Sequence, residues 1–214
     1  IGLYRFNGSG DTQQASLMYS SDNGETWQRT ENITTGGWSS ENEIVELEDG
    51  TLRMFYRGGG GGKISYADFT KNPGGGYDVG ECVNVDGCSV DSNCNMGTIS
   101  YSKKINGKQA ILFSCPGGPG RSHGKIFTFL VNDDEGKTLS LHHTYDVPKS
   151  ESNFVYSTLT ELQDGSIGFL WEEGDQNANI WFNKIEIADL VAANASIENP
   201  DGSKYAAASA NIAK

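Results

Sequence analysis

Histidine is scarce in this chain, with three in 214 residues, and proline hardly less so, with five. His123, His142 and His143 show no ligand spacing, so neither a metal centre nor a histidine base is read from them. Cys82, Cys88, Cys94 and Cys115 lack C-x-x-C spacing. That argues against zinc and leaves a disulfide inside the 82–94 loop, or plain thiols, as open readings. Basic residues are outnumbered, 16 against 28 acidic, for a net charge of -12. So acidic a molecule repels polyanions, which argues against nucleic acid or an anionic membrane surface as partner; a small anion would need a local cluster of arginines. No apolar run approaches the roughly 18 residues of a spanning helix. No signal peptide is visible, in a chain that opens on Ile1. The glycines at 58 to 62 have no following lysine or helix, so they read as a flexible rim and not as a phosphate loop. No cofactor is called for.

What the chain has in quantity is glycine, 28 residues, set among short alternating apolar runs broken by D-G, N-G and G-G. That pattern predicts many strands joined by tight turns, an all-β protein. The turns repeat. "ENEIVELEDGTLRMFYR" and "FVYSTLTELQDGSIGFLWE" share E-L-x-D-G, and a third copy aligns on Asn106-Gly107. The turn glycines lie at 50, 107 and 165, so the steps are 57 and 58 residues. Each copy reads as strand, hairpin, strand, loop and strand, the pattern of four-stranded blades in a β-propeller. A second signature, "SSDNGETW" at 20–27, fits S-x-D-x-G-x-T-W, in which Asp and Gly make a tight turn and Trp27 is expected to plug between sheets. It is echoed by "NDDEGKTL" at 132–139, while residues 68–79 occupy the matching place without the motif. Only two strands precede the first box, so the chain is expected to begin in mid-blade. Residues 1–190 are assigned to the propeller. The Ala-, Ser- and Asn-rich segment 191–214 is assigned to a linker or frayed tail.

In a propeller the first strand of each blade lines the central axis, so equivalent positions of successive copies converge on one pocket. Glu41 and Tyr156 hold one such position, and Thr98 or Ile99 holds it in the copy between. A carboxylate brought within hydrogen-bond reach of a phenol can take its proton. The same spacing also admits a buried Tyr satisfied by any acceptor and a solvated Glu. Arg57 and Glu172 are likewise equivalent, and Arg121 lies in the loop "PGGPGRSHG". Two arginines aimed at one axial pocket suit a bound carboxylate, which the planar guanidinium grips as a fork; a surface loop arginine is the plainer reading of Arg121. Trp38 and Trp171 read as packing residues, and Asp49 and Asp164 as turn residues without a catalytic part.

The box "SSDNGETW", the stretch "ENEIVELEDGTLRMFYR", "SCPGGPGR" and "FVYSTLTELQDGSIGFLWE", in that order, resemble the bacterial sialidases over most of residues 1–190. The resemblance implies a six-bladed propeller, roughly three and a half blades of it here, that removes terminal α-linked sialic acid from glycans with net retention. It marks Tyr156 as nucleophile, Glu41 as the carboxylate that activates it, Arg57 and Arg121 as two of three arginines on the substrate carboxylate, and Glu172 as the anchor of the third. It implies sialylated glycans as partners, and a secreted or cell-surface bacterial protein. The first arginine of that triad and an acid Asp are expected upstream of Ile1, so that residues 1–214 alone would be inactive. Other readings stay open: a non-catalytic glycan-binding propeller, an interaction scaffold, and an intramolecular trans-sialidase.

Overall fold

The computed structural model describes residues 1–6, 13–33, 39–58, 65–85, 94–174 and 179–203. Trp38, Cys88, the glycines at 59 to 62 and the end of the tail lie outside them. Sixteen strands are described. The first sheet joins β1 (Gly2–Phe6), β2 (Gln13–Tyr19) and β3 (Gln28–Arg29). The second joins β4 (Ser39–Glu46), β5 (Leu52–Gly58), β6 (Ser65–Lys71) and β7 (Tyr77–Val79), with β8 (Val83–Asn84) also on β6. The third runs β9 (Gly97–Ile105), β10 (Lys108–Gly118), β11 (Ser122–Val131) and β12 (Leu139–Asp146). The fourth holds β13 (Ser157–Glu161), β14 (Ile167–Glu173) and β15 (Asn179–Ile185), followed by a 3-10 turn at Ile187–Leu190. The copies read from the sequence are thus sheets two, three and four. A last strand, β16 (Ile197–Glu198), lies inside the segment read as linker or tail, yet it pairs with Ile105 and Lys104 of β9 as a fifth strand of the third sheet.

Sheets in chain order pack face to face, as blades of a β-propeller. Because side chains alternate across a strand, a middle strand buried on both faces must be apolar without a break. The run "MFY" in β5 shows how the faces divide: Met54 and Tyr56 join Ala15, Leu17 and Ile33 in a layer against the first sheet, while Phe55 joins Phe113, Phe127 and Phe129 in a layer against the third. One sheet on, Ile111 and Phe113 look back at the second sheet, and Ala110 and Leu112 look forward to Phe169 and Trp171 in the fourth. Trp171 is fully buried, stacked between Phe154 and Trp181.

Both turn boxes are held by one device. Asp22 accepts from the backbone N–H and hydroxyl of Thr26, and Asp134 does the same with Thr138. Trp27, however, does not plug a gap between sheets. It is 49% exposed, because its ring folds back on its own turn and the indole N–H donates to Gly24 O at 3.1 Å. The second box is tied down instead by Arg53. This fully buried residue donates to Gly136 O, to Lys137 O and to both carboxylate oxygens of Asp68, with its guanidinium 3.8 Å from the centre of the Tyr66 ring.

Candidate active site

The site is built where first strands start. Glu41 stands in β4 beside an irregularity: Asn42 pairs with Tyr56, but Ser39 pairs with Gly58, so one extra residue is fitted into β4 at this point. Such a bulge re-aims side chains. Opposite Glu41 is Arg57, at the end of β5, and the Arg57 guanidinium lies 2.6 Å from Glu41 Oε2. The other oxygen, Oε1, accepts from the Tyr156 hydroxyl at 3.3 Å. That is longer than a well-formed O–H···O bond, and catalytic hydrogen bonds often tighten only once substrate is bound. One carboxylate therefore joins the phenol and a guanidinium.

Tyr156 precedes β13, and its backbone is held by β14: Glu172 N–H donates to Tyr156 O, and Val155 N–H to Glu172 O. Glu172 is thus fixed beside Tyr156 through the main chain, with its side chain half-buried. Arg121 comes from the turn between β10 and β11. Its backbone lies in the left-handed region, with φ 62°, after Gly120 at φ 66°. This conformation is uncommon for a residue with a Cβ and recurs at functional sites. Phe154 N–H donates to Arg121 O at 2.7 Å, and His123 N–H to Ser150 O, so the turn is fastened to the segment leading into Tyr156. The Arg121 guanidinium carbon lies 5.9 Å from the centre of the Tyr156 ring, within range of a cation–π contact.

The electrostatics follow from this crowding. Burial pushes the Tyr156 phenol above its ordinary value, Glu41 and Cys94 push the same way, and the charges of Arg57 and Arg121 pull it back. The phenol is therefore neutral at neutral pH. For Arg57, burial works against the charge, but the hydrogen bond and charge of Glu41, with Tyr156 and Cys94 adding, outweigh it and the net shift is upward.

The five side chains singled out from the sequence thus fall in one region: Glu41, Arg57, Tyr156 and Arg121 through their side chains, Glu172 through its backbone contact with Tyr156. The middle copy behaves differently. Lys104 pairs with Gln109 but Ser100 with Ile111, so β9 spends four residues on two of β10, and it is Gly97, not Thr98 or Ile99, that comes to lie opposite Ser114. Beside these residues stands one that the sequence did not suggest. Cys94 is buried just before β9; its thiol donates to Val155 O at 3.1 Å, and burial pushes its pKa up to about 11 against the pull of Arg121 and Arg57. Cys82, Cys94 and Cys115 are thiols. Among the described residues no group of His, Cys, Asp and Glu is arranged to hold a metal ion, and no helix is long and apolar enough to cross a membrane.

No protein-family model matches the chain. Curated and solved proteins do. An anhydrosialidase of Macrobdella decora is 32% identical over 191 residues, 86% of this chain and 24% of that protein. The crystal structure of NanB sialidase from Streptococcus pneumoniae superposes with a TM-score of 0.72 at 27% identity, over 83% of this chain and 28% of that one. The intramolecular trans-sialidase of Ruminococcus gnavus does so with a TM-score of 0.69 at 29% identity, over 83% and 39%. The chain spans about a quarter of the length of the curated relatives it matches.

Proposed function

Because the chain belongs with the sialidases, as a partial sequence of that family, we propose that it carries part of the active site of an enzyme that releases terminal α-linked sialic acid from glycans through a covalent tyrosyl intermediate. The observation that supports this best is the Tyr156–Glu41–Arg57 arrangement, with Arg121 over the Tyr156 ring. Sialic acid carries a carboxylate on its anomeric carbon. A carboxylate nucleophile, the usual choice of a retaining glycosidase, would meet a like charge there, and sialidases with a tyrosine nucleophile are a recognised exception to the two-carboxylate rule.

A neutral phenol avoids the repulsion. Tyr156 Oη bonds to the anomeric carbon as the bond to the leaving oxygen breaks, and the phenolic proton passes to Glu41 Oε1. The leaving oxygen departs with a proton from a general acid that is not assigned to a residue of this chain. Water then gives a proton to the conjugate base of that general acid and attacks the anomeric carbon on the face the leaving group vacated; the bond to Tyr156 Oη breaks, Glu41 returns its proton to the phenol oxygen, and the two inversions give net retention. Arg57 and Arg121 hold the substrate carboxylate, and Glu172 orients a further arginine. Glu41 has a second duty in this reading, since it keeps the Arg57 guanidinium aimed until substrate arrives. A secreted or cell-surface location fits glycan substrates.

A second reading, intramolecular transfer, is favoured by the likeness to the Macrobdella decora anhydrosialidase and the Ruminococcus gnavus trans-sialidase. In it a hydroxyl of the bound sialic acid replaces water, and the product is lighter by one water molecule. Incubating the intact protein with a sialoside and weighing the released sugar separates the two. A non-catalytic glycan-binding propeller would release neither product.

A further inference from the structure

Tyr156 is gripped on both flanks by the neighbouring blade. On one side the Cys94 thiol donates to the carbonyl of Val155. On the other, Ser157 Oγ lies 2.8 Å from Ser114 Oγ in β10, and Ser114 Oγ is 3.4 Å from Gly97 O in β9. If Ser157 donates to Ser114 and Ser114 to the Gly97 carbonyl, each proton is used once. Ser114 is fully buried, and Gly97 and Ser157 are buried as well. A third observation is independent of these bonds. A Cβ built on Gly97 would stand 2.7 Å from Ser114 Oγ, 2.8 Å from Thr158 Cα and 3.0 Å from Ser157 O, so the backbone of β13 presses on β9 just past Tyr156, with Ser114 beside the contact.

The geometry points to Ser114 and Gly97 as positioning residues for the Tyr156 nucleophile. They set how far the start of β13 stands from β9, and hence where the phenol meets Glu41. Strand β14 alone cannot fix this, because its hydrogen bonds to Val155 and Tyr156 hold the fourth sheet together and leave the distance between sheets free. The Glu41–Tyr156 contact spans from the second sheet to the fourth, so an error in the seating of either sheet appears at the reacting atoms. Misplacement on the order of 1 Å can cost about 10²-fold in rate. The inference rests on the reading of Tyr156 as nucleophile.

The test is steady-state kinetics of the intact protein on a fluorogenic sialoside, with kcat, KM and thermal midpoint measured together. Ser114→Ala and Ser157→Ala each remove the same bond. Each is expected to lower kcat about tenfold with KM within about twofold, and the double variant to lose no more than Ser114→Ala alone, which already breaks both bonds of the device. Gly97→Ala, which drives Ser157 and Thr158 outward, is expected to lower kcat about 10²-fold. A hydroxyl pair that only stabilises the blade would instead lower the midpoint and leave kcat near wild type. That result for Ser114→Ala overturns the inference, as does a double variant whose losses multiply. Should Gly97→Ala fail to fold, Ser114→Ala decides alone. Tyr156→Phe in the same assay guards the premise. If it keeps full kcat, the nucleophile reading and this inference both fall; if it is inactive while Ser114→Ala is normal, only the inference does.

Discussion

Tyr156 and Glu41, 115 positions apart, meet at 3.3 Å because they hold the same place in two copies of one repeat. Glu41 answers to two partners there, the phenol through Oε1 and Arg57 through Oε2. Its removal should therefore have a mixed signature. Glu41→Gln keeps the volume and an amide oxygen to hold Arg57 in aim, while it removes the proposed base and the anion that competes for the guanidinium. In the intact enzyme kcat should fall about 10²-fold, in line with general-base effects, while KM stays level or drops. Steady-state kinetics check this, and a raised KM at unchanged kcat would mean that Glu41 serves binding alone.

Arg121 is the complementary case. Its turn is docked on the segment leading to Tyr156 through the Phe154 N–H···O bond, so Arg121→Lys should keep the backbone and exchange a planar fork for a point charge. The expected result is a KM raised about tenfold, the cost of one charge-assisted bond, with kcat changed much less. Michaelis curves for the two proteins show which parameter moves.

How much of this was legible in the sequence differs by residue. Position within the repeat brought Glu41 and Tyr156 to one place because β4 and β13 keep the same register from their Asp-Gly turns as far as Asn42 and Ser157, and the bulge in β4 begins only beyond Asn42. It failed for the middle copy because the irregular pairing of β9 with β10 displaces the register, and no turn motif records a bulge. Cys94, Gly97 and Ser114 were unreadable for a second reason: the contact of Cys94 and the role inferred for Gly97 and Ser114 lie between sheets, where no motif marks them. Trp27 illustrates the opposite error. The motif gave the turn, through Asp22 and Thr26, but not the direction of the indole, which is settled by packing.

The two boxed turns predict an acid sensitivity. Asp22 is held down to about 2, chiefly by the Thr26 hydroxyl and backbone N–H, and Asp134 is lowered in the same way by Thr138. A carboxyl whose folded pKa is depressed binds fewer protons folded than unfolded. Its contribution is present above the unfolded value near 4 and is lost as pH falls towards the folded one. Stability should therefore decline between about pH 4 and 2, and Asp134→Asn should flatten part of that decline. Urea unfolding across this range reads the slope; an unchanged slope would mean that the turn is not linked to global unfolding.

Arg53 should matter more than any surface charge. It is fully buried and holds Asp68 together with the carbonyls of Gly136 and Lys137. Arg53→Ala strands these partners and opens a gap beside Tyr66, at a cost of about 3 kcal/mol. Denaturant titration of the intact protein measures it, with the expectation that Glu41 and Tyr156 still support catalysis in the folded fraction. A loss below about 0.5 kcal/mol would place Arg53 among ordinary surface ion pairs.

The proposed catalysis rests on a covalent bond to one oxygen atom, Tyr156 Oη. The most direct measurement is mass spectrometry of the intact enzyme quenched during turnover of a sialoside with an activated leaving group, followed by proteolysis and fragment mapping. The added mass of one sialic acid residue is expected on Tyr156 and is expected to be absent from Tyr156→Phe, whose kcat should fall by at least about 10²-fold. An adduct on another residue, or a Tyr156→Phe enzyme with unchanged kcat, would contradict it.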